Sequence, residues 1–177
     1  MTLQFINVIL ISSETSNNNN SNKKNIMKLD EILDHLNYFT LSMPVDVEGL
    51  ARALALKVER QNLPDEVCGM IKKTEKGYVI VVNQNDIITK QRFTISRELG
   101  HYLYHRDKIE DYINTTINEK DEQQANNFAA NLLMPSSLIK KIIKNKLSNE
   151  VNPAQLAKEL NVSIPAINIR LNNLGLL

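Results

Sequence analysis

The chain contains little of several features that would narrow its class. Its 177 residues include one cysteine, which excludes an intramolecular disulfide framework and suits a reducing, cytoplasmic compartment. Twenty-one Lys and Arg oppose 20 Asp and Glu, and a net charge of +1 gives no global attraction to nucleic acid or to a membrane surface. The longest apolar run near the start, Phe5 to Ile11, is interrupted by Asn7 and is too short to cross a bilayer.

Composition divides the chain into three parts. Residues 1–26 hold a short apolar segment followed by SETSNNNNSNKKN, an Asn-rich stretch without apolar periodicity that is typical of a disordered linker. The apolar segment either docks as an extra strand, which the solubility cost of exposing it favours, or forms an extended N-terminus. Residues 27–147 are expected to form one globular domain, and residues 148–177 a helical tail.

The domain is predicted to be α+β. A helix is expected from Pro44, placed at its first helical position, and three short β-prone stretches follow it. These stretches are Leu56–Arg60, Cys68–Lys72 and Gly77–Val82. They predict a small, largely antiparallel sheet packed on a central helix, with Tyr78–Val82 as an edge strand beside that helix.

The central helix carries the chemistry. The stretch Arg92 to His105 reads RFTISRELGHYLYH, with apolar residues at helical spacing and either Thr94 or Ser96 as the expected cap. In an H-E-x-x-H helix, two histidines one turn apart grip zinc, and the glutamate deprotonates the metal-bound water. Glu98 and His101 match the second and last positions of this motif, but Arg97 stands where the first histidine belongs.

A third zinc ligand is sought on the next predicted helix, residues 118–133. Glu122 lies on its first turn, beside the face expected to pack on the central helix. The alternative is that Glu122, with Glu119 and Asp121, is simply an acid favoured near a helix N-terminus. Spacing alone favours that alternative.

Over residues 40–177 the sequence resembles the ImmA/IrrE family of zinc-metallopeptidase-like proteins. The resemblance rests on an ordered set of motifs: PVDV at 44–47, CG at 68–69, IVVN at 80–83, RFTI at 92–95, ELGHYLYH at 98–105, ANNFAA at 125–130 and LLMP at 132–135. It implies a zincin-like fold, with position 97, His101 and Glu122 as zinc ligands and Glu98 as the general base. It also implies a bacterial or phage protein that acts on Xre-type repressors.

Arg97 departs from the family pattern. A guanidinium is always cationic and only donates hydrogen bonds, so it cannot ligate zinc. We therefore expect zinc to be absent or weakly bound, and Arg97 to pair with Glu122 in its place rather than turn to solvent. His105, one turn after His101, offers a shifted metal site, but Tyr102 would then replace the general base.

The tail has a helix-turn-helix cadence over residues 153–174, with Asn161 suited to a left-handed turn. Its second helix contacts DNA in one interpretation; in the favoured one, the tail packs on the peptidase-like core. The function expected is binding of a protein partner, a repressor or antitoxin, without cleavage and without a membrane. Two rivals remain: an active zinc endopeptidase with a rearranged site, and a DNA-binding regulator.

Overall fold

Residues 43–109, 118–144 and 151–177 are described by the structure, a computed structural model. The helices are α1 (Val47–Ala53), α2 (Ile88–Tyr104), α3 (Glu119–Leu133), α4 (Ser136–Lys144), α5 (Pro153–Leu160) and α6 (Ile164–Asn173). The strands are β1 (Lys57–Gln61), β2 (Gly69–Thr74) and β3 (Gly77–Asn83), and a 3-10 turn spans Arg106–Lys108. The N-terminal segment and the linker lie outside the described residues, so their predictions stay predictions.

The α+β class is confirmed, but the sheet is mixed rather than largely antiparallel. Its strand order is β1-β3-β2, with β2 antiparallel and β1 parallel to β3. The β2–β3 hairpin closes through a two-residue turn between Thr74 and Gly77, and Gly77 has the positive φ of 118° that such turns require. Because β1 pairs with the far side of β3, the strand predicted at the edge, β3, is the central strand.

Helix α2 lies between the sheet and α3, and contacts both. Its buried positions include Ile95 and Leu99, which join the strand residues Ile71, Ile80 and Val82 in the core. Gly100 lets α3 approach closely, since a Cβ built there would lie 3.0 Å from the Cα of Ala125. This close packing places the first turn of α3 beside the polar face of α2.

Two predicted helix starts are wrong. Helix α1 begins at Val47 because the side chain of Asp46 accepts a hydrogen bond from the Gly49 N–H, so Pro44 precedes the cap. Helix α2 begins at Ile88, well before Thr94 and Ser96, because the N–H groups of Lys90 and Gln91 already donate to Ile87 O. The Ser96 hydroxyl instead donates to Arg92 O inside the helix.

The tail packs on the same core as the sheet. Leu156, Leu160, Ile167 and Leu171 are fully buried, and Asn161 adopts the predicted left-handed conformation between α5 and α6. No helix in the described ranges is both long and apolar enough to span a membrane.

Candidate functional site

Helices α2 and α3 bring the predicted site residues together. Arg97 and His101 lie one turn apart on α2, and Glu122 reaches them from the first turn of α3. The guanidinium Nη1 of Arg97 lies 3.9 Å from Glu122 Oε2, and His101 Nε2 lies 3.3 Å from Glu122 Oε1. The geometry therefore supports an association that spacing alone did not favour.

Arg97 binds a different carboxylate from the one expected. Its Nη2 and Nε donate to Oε1 of Glu98 at 2.7 and 3.1 Å, whereas its contact with Glu122 is a long ion pair. Adjacent helix residues do not normally face each other. The long arginine side chain folds back to Glu98 because that carboxylate is buried and has the greater need for a cation. The hypothesis that Glu122 is the main partner of Arg97 is wrong.

Glu98 is held inside the protein as one half of an ion pair. Its side chain is 4% exposed, against 25% for Arg97. Burial raises the pKa of Glu98, and the positive charge and hydrogen bonds of Arg97 oppose that rise, as does the backbone N–H of Ile71. Burial lowers the pKa of Arg97, but the Glu98 carboxylate more than offsets this, so the net shift is upward. We assign both groups as charged.

His101 is buried, with its side chain 1% exposed, and burial lowers its pKa to about 4 despite the nearby Glu122. Its Nε2 has no hydrogen-bond partner, since the Glu122 oxygen 3.3 Å away is poorly aligned. The carboxylate of Glu122 covers this nitrogen and is itself 41% exposed. His101 is therefore neutral at neutral pH, with one ring nitrogen directed at a carboxylate.

His105 supports His101 rather than forming a second metal site. Its Nδ1 lies 3.1 Å from His101 Nδ1, and its Nε2 lies 3.2 Å from Gln124 Oε1 and 3.4 Å from Asp121 Oδ1. Lys108 donates to the other oxygen of Asp121 at 2.6 Å and is the main reason why the pKa of Asp121 is lowered. The sequence analysis assigned Asp121 only to the helix terminus, where it also caps α3, and its position next to Glu122 was the available signal.

These residues do not fit a catalytic zinc ion, which takes three protein ligands and keeps one open position. His101 Nε2 and Glu122 are suitable ligands, but the third position holds a cation with no lone pair to offer. Within the described parts of the chain, no three His, Cys, Asp or Glu side chains converge as a metal-binding group. A shifted site using His105 is disfavoured because its Nδ1 is engaged with His101.

Comparison with known families gives one match. Residues 51–172 match the Peptidase_M78 family, the IrrE N-terminal-like domain, over more than half of the chain. The chain belongs to this family. It is a zinc-metallopeptidase-like family, which agrees with the resemblance found in the motifs. No curated protein matches the chain.

The strand that borders the Peptidase_M78 site is β2. Asn83 N donates to Cys68 O, and hydrogen-bonded pairs alternate along an antiparallel ladder. Gly69, Ile71 and Lys73 therefore direct their N–H and C=O groups away from β3, toward the free edge. Arg97 Nη2 lies 3.4 Å from Gly69 O, and the Ile71 N–H bonds Glu98. The predicted groove thus borders β2, not Tyr78–Val82.

The tail uses its main candidate DNA-contacting residue internally. Arg170 donates to Met134 O at 3.0 Å and to Asn131 Oδ1 at 2.7 Å, which joins α6 to the end of α3. Arg92 of α2 similarly donates to Asn161 O and Val45 O. Both arginines attach the tail to the core, and this favours packing over DNA contact for residues 153–174.

Proposed function

We propose that the chain is a cytoplasmic regulatory protein with a peptidase fold that binds a segment of a partner protein and leaves it intact. The observation that carries this proposal is the position of Arg97. Two N–H groups of its guanidinium bind the same oxygen of Glu98, the residue that matches the general base of the family.

This single side chain removes both requirements of metal-assisted hydrolysis. The reaction needs a metal that lowers the pKa of its bound water, and a base free to take the proton. Arginine supplies no ligand at position 97. The Glu98 oxygen that would accept the proton instead accepts hydrogen bonds from a permanent cation. Any zinc held by His101 and Glu122 alone would lack a protein ligand and a free base.

The partner segment is expected to add to the free edge of β2 as an extended strand, because main-chain groups there point outward. Glu98 already accepts from Ile71 N–H, and Arg97 approaches Gly69 O. The outward N–H and C=O of Lys73 lie beyond these contacts. We therefore place the first pairing of the partner at Lys73.

The partner class comes from the family resemblance: a DNA-binding repressor of the Xre type or an antitoxin. The test mixes the purified full chain with the Xre-type regulator encoded next to it, or with another candidate from that class. Titration calorimetry measures the complex, and intact mass spectrometry follows the partner for hours with and without added zinc. Complex formation with an unchanged partner mass is expected. Zinc-dependent fragments would overturn the proposal in favour of the endopeptidase.

Two variants locate the contact. Lys73→Pro removes an outward N–H without breaking a ladder bond, and edge strands tolerate proline in this orientation. Lys73→Ala removes the same side chain but keeps the N–H. The proline variant should weaken the complex and the alanine variant should not. Equal affinity of folded Lys73→Pro and wild type would remove the β2 edge from the account.

A further inference from the structure

An unsatisfied nitrogen marks a second property of the site. His101 Nε2 is buried without a hydrogen-bond partner, although its ring is 1% exposed and lies among polar groups. Buried polar atoms without partners are rare, and each costs free energy. The atom nearest to it on the neighbouring helix is Glu122 Oε1, at 3.3 Å.

The proton positions follow from the hydrogen-bond chain. Asp121 and Gln124 both present oxygens to His105 Nε2, and a carboxylate only accepts, so the His105 proton is on Nε2. His105 Nδ1 then accepts from the Nδ1–H of His101 at 3.1 Å. Because His101 is neutral, its Nε2 carries a lone pair. Two acceptors, Nε2 and Glu122 Oε1, therefore face each other.

The charges at the site leave one negative charge unmatched. Glu98 and Glu122 each contribute one negative charge, and Arg97 contributes one positive charge that is engaged mainly with Glu98. Glu122 lies farther from the guanidinium, at 3.9 Å. A ligand that satisfies both acceptors must donate hydrogen bonds, and a single positive charge would neutralise the cluster.

We propose that the site between His101 Nε2 and Glu122 Oε1 binds a primary alkylammonium group. Such a group is carried by lysine side chains and by chain N-termini. The proposal deepens the proposed function, since a bound partner segment would supply the ammonium. It assigns to the two remaining ligand-type residues a monocation in place of a metal.

The chemistry of the site selects this class over other cations. A quaternary ammonium carries the charge but has no N–H to donate. A divalent metal would bring two positive charges next to the Arg97 guanidinium with only two protein ligands. A compact ammonium has three donors, and the half-exposed Glu122 side chain can swing outward to admit one.

The test titrates the full chain with Nα-acetyl-lysine methylamide, with alaninamide, and with tetramethylammonium as the matched cation without N–H groups. Histidine ring ¹⁵N spectra report the His101 tautomer and its perturbation. We expect a lone pair on Nε2 in the free protein and saturable, millimolar-range binding of a primary ammonium. Binding of the lysine probe alone assigns a side chain, and binding of alaninamide alone assigns an N-terminus. Equal binding of tetramethylammonium, or a proton on Nε2 in the free protein, would overturn the proposal.

Glu122→Gln should weaken ammonium binding by about tenfold or more, the loss expected for a charged hydrogen bond. Glu119→Gln makes the same charge change at an exposed position one turn earlier and should leave binding unchanged. Equal loss in both variants, or stoichiometric micromolar zinc binding by the wild type, would count against the assignment. These probes need no partner protein, so their failure is distinct from failure of the proposed function.

Discussion

Replacing Arg97 by alanine tests the ion pair inside the site. The substitution leaves Glu98 buried, with its side chain 4% exposed and without its guanidinium donors. Removing one partner of a buried pair costs about 3–5 kcal/mol in other proteins. Arg97 is 25% exposed, so water can replace part of its contact. We therefore expect a loss of about 2–4 kcal/mol in the free energy of unfolding near neutral pH.

The loss should depend on pH in a defined direction. Burial already raises the pKa of Glu98 in the folded protein, and removing Arg97 raises it further, because the guanidinium opposes that shift. A group whose folded pKa lies above its unfolded pKa stabilises the fold below the unfolded value, and that stability is lost as pH rises through the folded value. The Arg97→Ala variant should therefore be less destabilised at about pH 5 than at about pH 8.

Urea unfolding of the wild type and variant at both pH values measures these differences. Arg52→Ala is the matched control, because Arg52 makes only an exposed pair with Asp46 at 3.7 Å and should change stability by less than about 0.5 kcal/mol. Glu98→Gln added to Arg97→Ala should recover part of the loss by removing the unpaired charge. A loss below about 0.5 kcal/mol for Arg97→Ala, or one independent of pH, would refute the buried ion pair.

Three further perturbations follow from the fold. Gly100→Ala should destabilise the protein by about 1–3 kcal/mol in urea unfolding, because its Cβ would lie 3.0 Å from the Ala125 backbone; wild-type stability would contradict close α2–α3 packing. Arg170→Ala should increase proteolysis of the tail, since it loses the bonds to Met134 and Asn131, whereas Lys158→Ala on exposed α5 should not; equal cleavage rates would contradict the attachment. Deleting residues 1–25 should leave the thermal midpoint nearly unchanged, and a fall of several degrees would show that the apolar N-terminal segment belongs to the core.

The sequence predicted most of the element order because the periodic signals were local. The tail helices, the β2–β3 hairpin and the left-handed Asn161 each depend on a few neighbouring residues. The parallel pairing of β1 with β3 was missed because it joins strands separated by β2, and no turn residue encodes that order. The edge position of β2 follows from the same long-range pairing.

The site was predictable in membership but not in pairing. Motif order identified Arg97, Glu98, His101 and Glu122, and the structure brings all four together. The choice of Glu98 over Glu122 as the partner of Arg97 depends on which carboxylate is buried, and helical spacing does not report that. The contacts of His105 with Asp121 and Gln124 depend on the packing of α2 against α3, which no local pattern encodes.

The zinc content of the Arg97→His variant tests the central claim most directly. His101 Nε2 and Glu122 Oε1 lie 3.3 Å apart, the separation of about 3.3 Å expected for neighbouring ligands on tetrahedral zinc with bonds of about 2.0–2.1 Å. A histidine at position 97 would supply the third ligand and release Glu98. Metal analysis of both proteins, purified without chelator and dialysed against zinc, should find about one zinc per Arg97→His chain and almost none in the wild type. One zinc per wild-type chain, or none in folded Arg97→His, would contradict the account.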